Sequence, residues 1–175
     1  MTQYYHAEHT TCRDRLLKFC VGNGADLGFG GAPVLPSAIC IDRPEGHPER
    51  AAQPPPVPPT HFAGDVCDLP FKDGVLDYVF SSHCLEDMDD TAAVVREWVR
   101  VLKVGGYLVL FLPDQQTYRA YSLSKGATPN LAHKHADFSA QYMQNCVPPN
   151  CVVAHVLFPV PGNPYSFDFV IQKVA

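Results

Sequence analysis

Apolar positions recur along this chain with two different periods, and those periods divide it into elements. Helical spacing runs through Leu16, Leu17 and Cys20, with Arg13, Asp14 and Lys18 falling elsewhere on the turn. This predicts a helix over about residues 8–20, ended by Gly22 and Gly24. The same spacing returns at Val94, Val95, Trp98, Val101 and Leu102. Asp89, Asp90 or Thr91 offers a cap for that second helix, and Gly105-Gly106 a stop. A short helix is expected near 139–146. Short apolar runs predict strands over about 24–27, 38–42, 60–64, 77–82 and 107–112. The run at 77–82 is apolar enough for burial on both faces. Two more strands, 151–158 and 165–174, flank a proline-rich joint at 159–164. The stretch 115–137 is polar and reads as irregular, with turn signals at Lys125-Gly126 and Thr128-Pro129-Asn130. No internal repeat is visible.

The connections after the first two strands are unusual. Pro33 and Pro36 leave little room for a helix between residues 28 and 38, because an internal proline removes a hydrogen bond and clashes with the preceding turn. Residues 43–59 hold Pro44, Pro48, Pro54-Pro55-Pro56 and Pro58-Pro59, which predicts an extended, polyproline-like connector.

The chemistry gathers around these connections. Asp26-Leu27-Gly28-Phe29-Gly30-Gly31-Ala32 is a glycine-rich turn leaving a short strand, and the next strand stops at Asp42. Glycine lets backbone approach a ligand closely. An acid at the tip of the next strand is placed to accept from two ribose hydroxyls. The pair predicts a pocket for an adenosine-containing cofactor. A dinucleotide fingerprint needs a third glycine and an acid about 20 residues on. Here Pro33 follows Ala32, and Asp42 arrives early.

The stretch instead resembles the acid-x-Gly-x-Gly-x-Gly motif of the class I S-adenosylmethionine-dependent methyltransferases, with Ala32 where a third glycine is usual. Residues 64–83, from Gly64-Asp65-Val66-Cys67-Asp68-Leu69-Pro70 to Ser81-Ser82-His83, are similar to the middle of the small-molecule branch. So is Arg100-Val101-Leu102-Lys103-Val104-Gly105-Gly106. The resemblance spans 24–114. It implies a single α/β domain with a Rossmann-like, mostly parallel sheet of about seven strands and an antiparallel C-terminal hairpin; the reduced helices after strands one and two, read from the prolines, depart from the family pattern. It also implies S-adenosylmethionine as cofactor, S-adenosylhomocysteine as product and methyl transfer to a small-molecule acceptor.

By that resemblance Asp26, Gly28, Phe29 and Gly30 line the methionyl portion, Asp42 binds the ribose diol, and Arg43 lies near the adenine edge. Asp65 accepts from the adenine amino group, Val66 and Cys67 border the ring, and Ser81 and Ser82 pass beneath the cofactor. His83 is the expected general base, its unperturbed pKa near 6.5 suiting neutral pH. Glu86 and Asp87 read as a solvated face before the helix, the alternative being to orient His83 or a substrate amine. Tyr5, Asp114, His133 and His135 are the expected substrate contacts, the histidines lying in a lid over 115–137. Two other readings stay open: a methyltransferase-like fold serving as a binding or regulatory protein, and a nicotinamide-dependent oxidoreductase.

Bulk properties narrow the partners. The chain has 175 residues, 46% of them hydrophobic, which suits one domain with a proper core. A formal charge of −5 argues against a nucleic-acid-binding face. Seven scattered cysteines without a C-x-x-C pair point to reduced thiols, a cytoplasmic protein and no metal site. No signal peptide and no membrane span is expected. Apolar surface left by the missing helices makes a dimer an option.

Overall fold

A computed structural model of the protein describes residues 11–30, 33–42 and 61–175. Seven strands form one sheet in the order β3-β2-β1-β4-β5-β7-β6: β1 (Gly24–Leu27), β2 (Ile39–Asp42), β3 (His61–Ala63), β4 (Leu76–Ser82), β5 (Leu102–Pro113), β6 (Cys151–Leu157) and β7 (Ser166–Lys173). Neighbours from β3 to β5 pair in parallel, while β7 runs antiparallel to both β5 and β6. The strand count, the parallel core and the antiparallel C-terminal pair all match the sequence expectation.

Two apolar layers cover the sheet. On one face Leu27, Val79, Leu108, Leu110, Phe167 and Phe169 meet α2 (Thr91–Arg100) and the region of α4 (Ala140–Asn145). Helix α2 starts where Asp90 accepts a hydrogen bond from the Ala93 amide. It buries Val94, Val95, Trp98 and Val99, each contributing about 1.5–3 kcal/mol by removal from water. The other face carries Tyr78, Phe80, Val109, Phe111 and Val170. It is covered by α1 (Arg13–Leu16), the 3-10 turn Leu17–Phe19 and the segment around Val34 and Ala38. No helix is present in described residues 28–30 and 33–38, as Pro33 and Pro36 dictate. The tight fit of this thin layer fixes Gly24, since a Cβ there would lie 2.3 Å from the Tyr78 ring.

Four sequence expectations need correction. The N-terminal helix is shorter among the described residues, one α turn followed by a 3-10 turn. Helix α2 ends at Arg100 rather than running to Leu102, because Leu102 already pairs with Leu76 in the sheet. Gly105 and Gly106 therefore lie inside β5, where Gly105 takes φ +86 at an irregular stretch, and do not cap the helix. Most importantly, 115–137 is not all irregular: α3 (Gln115–Ser124) opens it. Asp114 caps α3 by accepting from the Thr117 amide (3.0 Å) and hydroxyl (2.7 Å). Only Gln115 and Ser122 of α3 are buried, so the helix carries no apolar stripe to betray it. The proline-rich connector 43–59 lies outside the described residues.

Among the described residues no helix is long and apolar enough to cross a membrane.

Candidate active site

The strand order reverses between β1 and β4, and that crevice is where open α/β sheets bind ligands. The glycine turn leaves β1 at this point. Gly28 adopts φ +65, and its missing Cβ is doubly required, because the Cys84 sulfur lies 2.5 Å from where one would stand. The Gly28 amide donates to the Ile41 carbonyl (2.8 Å), which carries the β1–β2 register past the strand end. One residue further along β2, Asp42 accepts from the Gly30 amide through Oδ2 at 2.9 Å. The Gly64 amide donates to the Asp42 carbonyl (2.9 Å), and Asp65 follows. The turn, Asp42 and Asp65 thus stand side by side at the carboxyl ends of β1, β2 and β3.

Each carboxylate sits in its own setting. Asp65 Oδ1 accepts from the Cys67 amide at 2.8 Å, curling the loop after β3. That loop is fastened from below by α2. The Trp98 indole N–H donates to the Val66 carbonyl (2.7 Å), Glu97 accepts from the Leu69 amide (2.9 Å), and Arg100 donates to the Leu69 and Phe71 carbonyls. Asp26 is 1% exposed beneath the glycine turn and accepts from the Val34 amide at 2.6 Å. Burial pushes its pKa up to about 8; the Asp42 charge adds to the rise and the Val34 hydrogen bond opposes it. The folded protein therefore favours protonated Asp26, whereas the unfolded chain ionises it near pH 4. Stability from this group is present in acid and lost as pH rises toward about 8. Asp26→Asn should accordingly gain on the wild type in thermal midpoint between pH 4 and 8. A constant offset across that range would contradict the assignment.

Strand β4 delivers the next residues. Ser81 is buried and donates to the Leu27 carbonyl (2.8 Å), a link that ties β4 to β1 beneath the site. Ser82 Oγ is buried with no hydrogen-bond partner among the described residues. His83 takes φ +49, and its amide continues the ladder to the Phe111 carbonyl. Its Nε2 lies 3.0 Å from Ser166 Oγ and its Nδ1 3.5 Å from Glu86 Oε1. Both ring nitrogens thus face protein groups, and burial pushes the imidazole pKa down to about 3. A base that weak accepts protons poorly at neutral pH, so the histidine expected as general base is a poor one in this setting.

Glu86 is the residue the sequence reading undervalued. It is 1% exposed, not part of a solvated face. It sits between His83 and His133, whose Nε2 is 3.8 Å from Glu86 Oε1. His133 Nδ1 donates to Gln115 Oε1 at 2.6 Å, and the ring packs against Tyr118 with centroids 4.8 Å apart. His135 diverges from this group: its Nε2 donates to the Met88 carbonyl and its ring packs on Tyr142. The Asp114 side chain is engaged in its cap. Tyr5 and Arg43 lie outside the described residues. Gln115 and Tyr118 were missed because they sit on a helix without an apolar stripe, and Tyr165 because it follows a proline joint just before β7. Among the described residues no group of three or more His, Cys, Asp or Glu side chains is placed to hold a metal ion.

Comparison with known proteins identifies the family and the fold. The methyltransferase domain family matches residues 19–110, more than half of the chain. Ajmaline N-methyltransferase of Rauvolfia serpentina is 40% identical over 47 residues, which cover 27% of this chain and 16% of that protein. Norajmaline N-methyltransferase of the same plant is 38% identical over a stretch of the same length, again 27% of this chain and 16% of that protein. Solved structures share the fold across nearly the whole chain. A protein from Pyrococcus horikoshii superposes with a TM-score of 0.72 at 16% identity, covering 98% of this chain and 92% of its own. An S-adenosylmethionine-dependent methyltransferase from Mesorhizobium loti gives 0.66 at 17% identity, covering 94% and 97%.

Proposed function

Because the chain belongs to the class I S-adenosylmethionine-dependent methyltransferase family, we propose that it transfers a methyl group from S-adenosylmethionine to a small-molecule acceptor. The observation that carries this reading is the row of Gly28, Gly30, Asp42 and Asp65 across β1, β2 and β3 at the reversal of strand order. These residues fit the cofactor. Two carboxylates lie in a row beside a turn whose first glycine has φ +65, and Ser82 adds a buried hydroxyl without a partner among the described residues.

In this reading Asp42 accepts from the ribose hydroxyls, and Asp65 accepts from the exocyclic amine of adenine. Val66 and Cys67 border the base, and the backbone of Gly28, Phe29 and Gly30 meets the methionyl end. Asp26 supports that turn from below. The bound cofactor supplies a methyl carbon already activated by its sulfonium. The protein's contribution is then alignment of two reactants and exclusion of water. His83 and Glu86, after β4, and His133, in the segment after α3, form the acceptor side. The names of the plant relatives, both N-methyltransferases, support nitrogen as the acceptor atom.

Calorimetric titration with S-adenosylhomocysteine tests the reading. Saturable binding in the micromolar range is expected. Absence of both heat and thermal shift with either form of the cofactor would overturn it.

A further inference from the structure

Five side chains on the acceptor side close into a ring. Glu86 Oε1 lies 3.5 Å from His83 Nδ1. The His83 ring meets Tyr165 edge-on at 6.3 Å, Tyr165 meets Tyr118 at 5.4 Å, and Tyr118 packs on His133 at 4.8 Å. His133 returns to Glu86 at 3.8 Å. Four separate parts of the chain supply it: the residue after β4, the 3-10 turn Leu85–Asp87, helix α3 with the segment after it, and the residue before β7. Tyr118 and Tyr165 are half-buried, whereas Glu86 is fully buried at the base.

We infer that this ring is the recognition site for a small organic ammonium, so that the acceptor is an amine bound in its cationic form. The inference rests on the methyltransferase reading and names the class of its acceptor. Aromatic faces attract a cation through their quadrupole, more strongly when water is excluded. A bound ammonium favours the ionised form of the buried Glu86, which then adds an opposite charge in a setting of reduced dielectric. The two imidazoles do not compete as cations, because burial holds both below their ordinary pKa.

The ring also accounts for the proton. With Gln115 Oε1 accepting from His133 Nδ1, the lone pair of His133 Nε2 faces Glu86. That pair is placed to hold one proton between them. Methylation of an ammonium balances as loss of one N–H proton to this pair and gain of one N–CH3 bond. The electrons of the broken carbon–sulfur bond stay on the departing sulfur. Glu86 is thus the proton acceptor in place of His83, with His133 Nε2 sharing that proton and positioning it.

The test compares choline with 3,3-dimethylbutan-1-ol, an uncharged molecule of the same shape, by calorimetry with and without S-adenosylhomocysteine. Choline is expected to bind at least about tenfold more tightly, about 1.4 kcal/mol. Glu86→Gln should erase that preference without changing S-adenosylhomocysteine affinity, which also reports that the variant is folded. Tyr118→Leu should weaken choline more than the alcohol. Equal binding of the two probes, or binding of neither while S-adenosylhomocysteine binds, overturns the inference. Choline binding without S-adenosylhomocysteine binding would instead support the ring and overturn the methyltransferase reading.

Discussion

Asp42→Ala should weaken S-adenosylhomocysteine binding by at least about 100-fold, about 2.7 kcal/mol, while leaving the protein folded. The size follows from two losses. A carboxylate accepting from two ribose hydroxyls makes charge-assisted hydrogen bonds, each worth about 1.5–3 kcal/mol. The same residue also holds the glycine turn through the Gly30 amide at 2.9 Å, so its removal loosens the turn as well. Asp42→Asn separates the effects, because a carboxamide oxygen keeps an acceptor for Gly30 but lacks the charge. Its loss should be smaller, about tenfold. Isothermal titration of the three proteins measures all of this. Unchanged affinity in Asp42→Ala would remove the residue from the cofactor site and leave it a turn anchor only.

The second large effect is on stability. Arg15→Met should lower the free energy of unfolding by about 3–5 kcal/mol. Asp168 lies in β7 between β5 and β6 and is fully buried. Arg15 of α1 grips it bidentately, Nε to Oδ2 at 2.8 Å and Nη2 to Oδ1 at 3.0 Å. His155 Nε2 approaches Asp168 Oδ2 at 3.7 Å. Removing the guanidinium strands a carboxylate in an apolar layer beside Cys12 and Val170, the costly half of breaking a buried pair. Adding Asp168→Asn to Arg15→Met should restore part of the loss, since the stranded charge goes too. Urea denaturation reads both; a loss under about 1 kcal/mol in Arg15→Met would show that Arg15 acts as an ordinary surface pair.

The residues proposed for the cofactor half of the site stand out in the sequence because their signals are local. A glycine turn, an acid at a strand tip and an acid after the next strand each declare themselves within a few residues. The sheet was legible for the same reason: its strands are short apolar runs broken by glycine, proline and aspartate. The acceptor half was not. Glu86 looks like any acid ahead of a helix, and only the fold shows it buried beside His133, 47 positions away in the chain. Tyr165 gains its meaning only when β7 inserts beside β5. Helix α3 stayed hidden because its buried residues, Gln115 and Ser122, are polar, so no periodic apolar stripe marks it. Helix α2 was overextended for the opposite reason. Leu102 continues an apolar period that the backbone has already left for the sheet.

The attachment of the 65–73 loop to α2 carries a kinetic consequence. Trp98, Glu97 and Arg100 hold that loop by its backbone from inside the domain, independently of anything bound above it. The wall proposed to meet the purine is therefore a fixed surface rather than a moving part. Capture of the nucleoside end should proceed as a single encounter whose rate tracks solvent viscosity, with no slow second phase in stopped-flow fluorescence.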